Sequence, residues 1–531
     1  MKRLFKKSLI FAGGVSLLLA AGQPAAADES TPPESGPIVV RIDEAVELAL
    51  TYSFALRQAR LDAEDVNAQL SQSWSRVWPR VDGTARYTRN LTAPNPFAGT
   101  GAGGAFNTFD SLGWLVYNEQ QRTLPDGGQP LSLQQFLQRQ NDALANAGII
   151  TDPDANPFLV ENQVNLSLAV KQVLYDGAVF AGLKGSGIAE KIARVGIDAE
   201  SLNTVRQVAS AFYGALLASR QTEILEKSVA RTQSTVDETQ KRVKQGVVPR
   251  FELLTVEVEL ANLQTRLARA QNSAARSVDD LRLAIGLPPG QPLQPKGELS
   301  LEGAELTAPA PEEAVSVALE NRPDFKQASL NVEASQLQES ATFGEFLPKL
   351  SAVADIAYLG SIPDDRSFAV STNNVDDPFE LRRDEAGVFS DGFWFSSISV
   401  GLLLEWNIFD GFATWSQLKR DEVATRKAKV QLEQARTTVQ VEVEQSLREL
   451  KTAQQQITTQ ERNRERAELN YGHAQVRVRE GVSNQFELRQ ASEQLDESRF
   501  NYLQAVHDYL VARIGYLVAI GTPPVVGSKS K

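Results

Sequence analysis

The sequence predicts a mainly α-helical fold with a small β part, organised as two copies of one structural unit. Long proline-free runs predict helical hairpins, and four alternating segments predict strands. Three pairs of motifs occur in the same order in both halves: Leu174-Tyr175-Asp176-Gly177 and Ile408-Phe409-Asp410-Gly411, Arg242-Val243-Lys244-Gln245-Gly246 and Arg477-Val478-Arg479-Glu480-Gly481, Ile285-Gly286-Leu287-Pro288-Pro289 and Ile520-Gly521-Thr522-Pro523-Pro524. Such an internal repeat determines the architecture, so it is considered before any single motif.

The chain begins with a segment typical of a secretory signal peptide, predicted over residues 1–27. Basic residues between Lys2 and Lys7 precede an apolar stretch, and Ala25-Ala26-Ala27 provides an A-x-A cleavage site. An N-terminal membrane anchor is the less favoured alternative, because the apolar run is shorter than the roughly 20 residues of a spanning helix. No later segment has the pattern of a spanning helix, so the exported chain would enter a membrane as strands.

Composition excludes several classes of function. The chain has no cysteine, which excludes disulfides, thiolate metal sites and a lipidated N-terminal cysteine. Its formal net charge is −12, and removal of the signal peptide would take away four cations and leave the chain more acidic. Such a charge argues against a nucleic-acid partner. His473 and His507 are the only histidines, and no phosphate-binding glycine loop follows a strand. We therefore predict no enzyme, no metal site and no cofactor.

The first repeat, predicted over residues 28–285, contains a short helix from about Asp43 to Ser75 and ends in a helical hairpin. A helix from Gly177 to Gly246 would be on the order of 100 Å long at about 1.5 Å per residue, which exceeds any compact domain. Its last part has coiled-coil spacing: Leu225, Val229, Thr232, Val236, Thr239 and Val243. Residues 246–249 break the helical pattern and predict the tip of the hairpin.

The helix after this tip carries two adjacent apolar seams. The first seam is Leu253, Val256, Leu260, Leu263 and Leu267. The second seam is Leu254, Val258, Ala261, Thr265 and Ala268. Two seams indicate two neighbours, which favours a wall of helices forming a tube; an ordinary helical bundle with a wide apolar face is the alternative.

The second repeat, predicted over residues 312–521, follows a proline-rich linker at 286–311 and precedes a flexible tail at 522–531. It contains a short helix from about Glu312 to Gly344. Its hairpin is predicted from about Gly411 to Gly481 and from Gln485 to Gly521, with a tip at 481–484.

Four segments alternate between apolar and polar residues, about ten residues each, as strands of a transmembrane barrel do. Their apolar faces are Val81, Ala85 and Tyr87; Val164, Leu166, Leu168 and Val170; Leu350, Ala352, Ala354, Ile356 and Tyr358; and Ile398, Val400, Leu402, Leu404 and Trp406. A half-buried soluble sheet is the alternative. Residues 90–162 and 360–395 are rich in Gly, Pro, Asn and Asp and predict external loops, the first with a short helix at about 131–147.

Four strands are too few to close, because the smallest membrane barrels have about eight. Two chains would give this minimum, whose interior is filled by side chains, and three would give twelve strands around a conduit. A conduit favours a homotrimer, with four strands per chain in a shared 12-stranded β-barrel and the hairpins in an α-barrel.

In the ordered, duplicated motifs the chain resembles the outer-membrane efflux proteins, the TolC-like export channels, from about Ile42 to Pro524. The resemblance implies a homotrimeric, passive duct that spans the outer membrane, contacts its lipid and extends into the periplasm. It also implies two protein partners, a periplasmic adaptor and an inner-membrane transporter that supplies the energy. Cargo is not implied, since drugs, metal ions, peptides and proteins all pass through such ducts.

The resemblance also implies site residues at the hairpin tips. Acidic residues six and nine positions after the second tip glycine ring the periplasmic aperture in such channels; here these positions are Glu487 and the neutral Gln490. Three copies of Glu487 near one axis would repel one another and favour a bound cation or proton; the alternative is a solvated carboxylate at a helix start. The residues that resemble the adaptor-docking region are Arg242, Val243, Gly246, Val247, Val248, Arg477, Val478, Gly481 and Val482.

Two rival functions remain at this point. A soluble periplasmic coiled-coil adaptor predicts one hairpin flanked by small β domains, whereas this chain has two hairpins and four strands. An outer-membrane surface receptor or structural tether would use the long loop at 90–162 and predicts a non-conducting trimer.

Overall fold

The computed structural model describes residues 38–92, 103–125, 128–149, 160–290, 292–301, 309–374 and 377–523. The predicted signal peptide and most of the predicted tail lie outside these ranges. The chain forms two compact units, and each combines segments of both predicted repeats. Unit 1 contains the chain up to Asp65, Lys191–Leu330 and the chain from Val430; unit 2 contains Val66–Glu190 and Asn331–Lys429.

The elements in chain order are β1 (Ile38–Val40), α1 (Ile42–Tyr52), α2 (Phe54–Ser75), β2 (Arg80–Arg89), α3 (Gly103–Arg122), α4 (Leu133–Asn146), β3 (Asn162–Tyr175), α5 (Gly177–Lys244), α6 (Arg250–Ile285), β4 (Leu293–Pro295), α7 (Pro311–Asn321), α8 (Pro323–Gly344), β5 (Lys349–Ile362), β6 (Ser367–Ser371), β7 (Leu381–Glu385), β8 (Trp394–Glu405), α9 (Ala413–Arg479) and α10 (Gln485–Ala519). The predominance of helix and the two long hairpins, α5 with α6 and α9 with α10, are confirmed.

The two short helices of the prediction are each divided in two. Between α7 and α8, Arg322 has extended backbone angles, because the following Pro323 disfavours a helical conformation before it. Ser53, between α1 and α2, is equally extended, although no proline follows it. The sequence did not predict either break, because helical periodicity continues on both sides of each.

Each break lies against a left-handed glycine that follows the last helix of a hairpin. Gly286 has φ +87°, and a Cβ added to it would lie 2.3 Å from the carbonyl oxygen of Tyr52. Gly521 has φ +71°, and its Cβ would lie 2.7 Å from the backbone nitrogen of Arg322. The repeated Ile-Gly motif is therefore required by both backbone conformation and close approach.

The core of unit 1 contains equivalent residues from both repeats. Ala45 and Ala49 on α1, and Ala314 and Ala318 on α7, are at most 1% exposed. They belong to one hydrophobic cluster with the middle of α5 and α9 and the ends of α6 and α10. Small side chains at these positions let the short helices pack close to the long ones.

The four predicted strands form one antiparallel sheet in unit 2, in the order β2-β3-β5-β8. The register aligns Val81, Val170, Ala354 and Val400 in one row and Asp82, Ala169, Asp355 and Ser399 in the next. One face is therefore apolar and the other largely polar, as the alternation predicts. Strands β2 and β8 are the edges, and each has one side without a partner strand in the described chain.

The two external loops contain more structure than the sequence predicts. Helix α4 is the predicted short helix, but α3 and the β6-β7 hairpin were not expected. The rings of Tyr117, Phe136 and Phe379 lie 5.2 to 5.6 Å apart and join the two loops. In the ranges that the structure describes, none of the helices has the length and apolar character needed to cross a membrane.

Candidate functional site at the hairpin tips

Both hairpins turn through the same main-chain motif. At the first tip the N–H groups of Gly246 and Val247 donate to the carbonyl oxygens of Val243 and Arg242, at 3.0 and 2.9 Å. The second tip repeats these bonds at 3.1 and 2.9 Å, from Gly481 to Val478 and from Val482 to Arg477. This is a Schellman ending, which places a left-handed residue after each helix; φ is +72° at Gly246 and +71° at Gly481.

The second tip adds a set of side-chain contacts around Glu487. Asn484 caps α10, and its Oδ1 accepts a hydrogen bond from the backbone N–H of Glu487 at 3.0 Å. The hydroxyl of Ser483 donates to Oε2 of Glu487 at 2.6 Å, and Nη2 of Arg477 lies 3.3 Å from the same oxygen. The structure thus pairs the expected aperture residue with one of the expected docking residues.

The first tip has none of these side-chain contacts. Pro249 stands at the position of Asn484, so α6 begins without a side-chain cap. Val248 stands at the position of Ser483 and offers no hydroxyl. Although Arg242 and Glu252 correspond to Arg477 and Glu487, no ion pair joins them, and neither makes one with any other described residue.

The remaining expected site residues are also at the tips. Gln490 is exposed one helical turn after Glu487 on α10, so the two side chains lie on one face of the helix. Val247 and Val482 are 62% and 71% exposed. Val243, Val248 and Val478 are half-buried.

A further polar cluster, which sequence reasoning missed, joins the two hairpins deeper in unit 1. Nε of Arg489 on α10 lies 3.3 Å from Oε2 of Glu259 on α6. Burial raises the pKa of the Glu259 carboxyl, with Glu493 adding to the increase and Arg489 opposing it. Asp496 accepts hydrogen bonds from Ser228 and Arg231 of α5.

These pairs line a cavity of about 460 Å³ between α5, α6 and α10. They join residues more than 200 positions apart, so no local pattern could have predicted them.

The two seams of α6 differ in exposure. The first is covered within the chain, with Val256 buried and its other members half-buried. The second is exposed along its whole length, including Leu254 at 52% and Val258 at 61%. Helix α9 carries exposed apolar residues seven positions apart near its own tip, Leu469 at 65% and Val476 at 52%.

The described residues offer no cluster of metal-ligating side chains. They contain no group of three His, Cys, Asp or Glu side chains placed to hold a metal ion. His473 is exposed, and Nδ1 of His507 lies 2.9 Å from Oδ1 of the neighbouring Asp508.

Long helical hairpins, a four-stranded amphipathic sheet with two open edges and a duplicated tip define a channel-forming protein of the outer membrane. Residues 132–287 and 314–522 match the family described as outer membrane efflux protein, and this chain belongs to that family. The first matched segment begins at residue 132, well inside the first predicted repeat, and the second covers nearly all of the second predicted repeat. The chain is therefore an outer-membrane efflux channel that extends into the periplasm.

Solved structures of outer-membrane channels have the same fold at low sequence identity. The CmeC channel of Campylobacter jejuni is 14% identical, with a TM-score of 0.67 over 93% of this chain and 90% of that one. VceC of Vibrio cholerae is 15% identical, with a TM-score of 0.64 over 91% of this chain and 96% of that one. The open MtrE channel of Neisseria gonorrhoeae is 15% identical, with a TM-score of 0.63 over 93% and 94%. No curated protein sequence matches the chain significantly.

Proposed function

We propose that three copies of this chain form a passive export duct, which a periplasmic adaptor and an inner-membrane transporter open at the hairpin tips. One observation supports the proposal: each unit leaves uncovered surfaces that another copy of the chain could cover. The sheet of unit 2 ends in two unpaired strands, β2 and β8. In unit 1, α6 and α9 each expose apolar side chains of coiled-coil spacing.

The two uncovered surfaces of each unit differ from each other, as the surfaces that meet in a ring of identical copies do. A head-to-tail contact joins two different surfaces and closes into a ring when the rotation allows it. Pairing β8 of one copy with β2 of the next, and the α6 seam with the exposed face of α9, would cover both kinds of edge. Three copies give the twelve strands that leave room for a conduit.

The sheet supports the expected contact with outer-membrane lipid. On β8 the residues of the apolar face are far more exposed than an ordinary folded core allows: Ile398 at 74%, Val400 at 82% and Leu402 at 70%. Exposed apolar side chains of this kind suit a hydrocarbon environment. The polar face would then line the conduit.

The tips supply the proposed aperture and docking residues. Glu487 and Gln490 would lie at the periplasmic aperture, and the tip residues from Arg242 to Val248 and from Arg477 to Val482 would receive the adaptor. These roles rest on the family resemblance and on the exposure of the tips. We propose no enzymatic activity and no cofactor, in keeping with a family of outer-membrane channels.

A second candidate, a surface receptor or structural tether, is favoured by the packing of the two external loops through Tyr117, Phe136 and Phe379. It predicts a trimer that carries no current. The adaptor alternative is disfavoured by the match of both repeats to the efflux family.

The test is the conductance of the purified mature protein in a planar lipid bilayer, with the reversal potential measured in a salt gradient. We expect small cation-selective steps, and we expect Glu487→Gln to reduce cation selectivity, because a carboxylate at an aperture attracts cations. The same change should raise the leak conductance, because it weakens the ion pair with Arg477 at the second tip. Glu252→Gln, the equivalent change at the first tip, is the matched control. Unchanged current and selectivity in Glu487→Gln would show that this residue does not line the aperture. A folded, inserted protein that gives no current steps would favour the surface receptor or tether.

A further inference from the structure

The duplicated Tyr-Asp-Gly and Phe-Asp-Gly motifs form the corners where a strand of the sheet leads to a long helix, and the proposed duct gives them no role. Oδ1 of Asp176 accepts a hydrogen bond from the backbone N–H of Ala178 at 3.0 Å, and Oδ1 of Asp410 accepts one from that of Ala413 at 3.0 Å. Each aspartate therefore stabilises the first turn of its helix, α5 or α9. The aromatic residue that precedes each aspartate has no such local explanation.

The second corner contains one residue more than the first, and its backbone is strained. The first capped N–H lies two residues after Asp176 but three residues after Asp410. Gly411 and Phe412 both have φ +70°, a left-handed conformation that glycine adopts readily and in which phenylalanine is strained. The ring of Phe412 meets the ring of Phe409 edge-on, with 5.4 Å between their centroids. Residues strained in this way are concentrated at functional sites, and here the strain holds an aromatic ring at the surface.

Both corners belong to a band of exposed aromatic side chains at the end of the sheet that leads to the long helices. We call this band the aromatic collar; its members are Tyr175, Phe180, Trp406, Phe409, Phe412 and Trp415, and each is at least 38% exposed. The rings of Tyr175 and Phe180 lie 6.3 Å apart, as those of Phe409 and Phe412 lie close together at the other corner. An exposed apolar surface of this size marks a place where another molecule binds.

The collar continues the apolar face of the sheet. The register shifts between Val173 and Tyr175, so that Tyr175 pairs with Leu350, which itself pairs with Leu404. Side chains that lie opposite one another on neighbouring strands point to the same face, so Tyr175 lies on the apolar face. Trp406 follows Leu404 by two residues and extends this face beyond β8. An aromatic surface at the end of the proposed lipid-facing side is expected at the boundary of a membrane.

Lysines follow the collar at the same spacing on both long helices. Lys184 comes four residues after Phe180 on α5, and Lys419 comes four residues after Trp415 on α9, so each lysine shares a helix face with its aromatic residue. Nζ of Lys419 lies 5.9 Å from the centroid of the Trp415 ring. At about 1.5 Å per residue, each lysine is about 6 Å further from the sheet than its ring. This distance is close to the depth of the headgroup layer of a bilayer.

These cations are available to an anion. Arg420 lies beside Lys419 in sequence, and both Lys184 and Arg420 are exposed and make no ion pair with any residue that the structure describes. Nζ of Lys419 lies 2.8 Å from Oε2 of Glu422, in a pair at the surface. Exposed pairs contribute little stability, so an anionic headgroup can compete with Glu422 for this lysine.

We propose that the aromatic collar and the cations next to it bind anionic phospholipid in the leaflet of the outer membrane that faces the periplasm. This inference rests on the proposed function, because the sheet must lie in the membrane for the collar to meet a leaflet. Two observations identify the occupant: the collar continues the apolar face of the sheet, and the cations lie at headgroup depth. Aromatic rings favour the boundary between hydrocarbon and headgroups, and a cation near a membrane surface attracts anionic lipid.

The experiment places the full mature protein in vesicles of phosphatidylethanolamine that contain a minor fraction of phosphatidylglycerol. In one set of vesicles the phosphatidylglycerol carries brominated acyl chains, and in the other set the same fraction of phosphatidylethanolamine carries them. Bromine quenches tryptophan fluorescence on contact, and Trp415→Phe identifies the part of the quenching that comes from the collar. We expect phosphatidylglycerol to be enriched about fivefold around the collar, and we expect high salt to reduce the enrichment.

Substitution of the cations tests the headgroup contact. Lys419→Gln combined with Arg420→Gln should reduce the enrichment to less than about twofold, because the attraction of both cations is lost. Lys427→Gln is the matched control, since Lys427 is exposed on the same helix about 12 Å beyond Lys419 and should leave the enrichment unchanged.

Equal quenching by the two brominated lipids in the wild type would overturn the inference, as would equal losses in the double variant and in Lys427→Gln. Folded, inserted protein whose collar is quenched by neither lipid would show that protein covers the collar, and this result would overturn the inference as well.

Conductance of the same preparation separates this inference from the proposed function. A conducting protein without preference for phosphatidylglycerol would retain the duct and exclude the lipid site. A non-conducting protein that enriches phosphatidylglycerol through Lys419 and Arg420 would support the lipid site and count against the duct.

Discussion

The two hairpin tips of this channel have one main-chain turn and two different side-chain environments. Both helices that enter a tip end at a left-handed glycine with the same pair of backbone hydrogen bonds. Beyond the turn the second tip has an asparagine cap and an ion pair, whereas the first has a proline and unpaired cations. The duplicated motif therefore specifies the turn, and the residues that differ between the copies specify the side-chain contacts around it.

The difference follows from only a few positions. Val248 and Pro249 at the first tip replace the hydroxyl and amide of Ser483 and Asn484, which contact Glu487 at the second. Without those two groups the Glu252 carboxylate has no counterpart of the contacts that hold Glu487. The pairs Arg242 with Glu252 and Arg477 with Glu487 thus share sequence positions, and only the second pair makes contact.

The largest expected effect concerns the feature that both tips share. Gly246→Ala and Gly481→Ala should each destabilise a tip by about 1 to 2 kcal/mol, since an alanine at φ near +70° is strained. Amide hydrogen exchange at each tip would measure the loss. Gly472→Ala is the control, because Gly472 lies inside helix α9 with open space around it and alanine favours a helix there. Equal exchange rates in Gly472→Ala and Gly481→Ala would contradict the role given to the turn.

A smaller effect should distinguish the tips. Asn484→Ala removes the cap of α10 and should destabilise the second tip by about 1 kcal/mol. Pro249→Ala removes no side-chain hydrogen bond at the first tip, so it should change exchange there by much less. If the two variants loosened their tips equally, the capped and uncapped tips would not differ in the way the structure indicates.

Much of the fold could be predicted from the sequence because its determinants are local or periodic. The limits of α5 and α9 follow from Gly and Pro, and the strand faces follow from alternation over ten residues. The divisions at Ser53 and Arg322 were missed because helical periodicity continues on both sides of each. Helix α3 was missed because residues 90–162 are rich in Gly, Pro, Asn and Asp, a composition that predicts a loop.

The positions of the hairpin tips were predictable, but the contacts of their side chains were not. The tip glycines indicated where the hairpins turn, and the resemblance to efflux channels implied a role for Glu487. Whether Arg477 reaches Glu487 depends on how closely the two ends of the turn approach each other. The spacing along the sequence does not give this distance. The bridge from Arg489 to Glu259 depends on the packing of two hairpins, and the charges on each helix resemble those of any solvated face.

The smallest expected effect concerns that bridge, which links the hairpins whose tips differ. Burial raises the pKa of Glu259 in the folded protein, against the opposing charge of Arg489. The folded state therefore holds this proton more tightly than the unfolded state does. The charged carboxylate costs stability above its folded pKa, and this cost disappears as the pH falls through that pKa towards the ordinary range of a glutamate.

Glu259→Gln should consequently be more stable than the wild type near neutral pH, and the difference should vanish in acid. Thermal unfolding at a series of pH values would measure the difference, with Glu257→Gln as an exposed control on the same helix. A variant that is less stable than the wild type at neutral pH would mean that the attraction of Arg489 outweighs burial. In that case this ion pair would add to the apolar contacts that hold the two hairpins together.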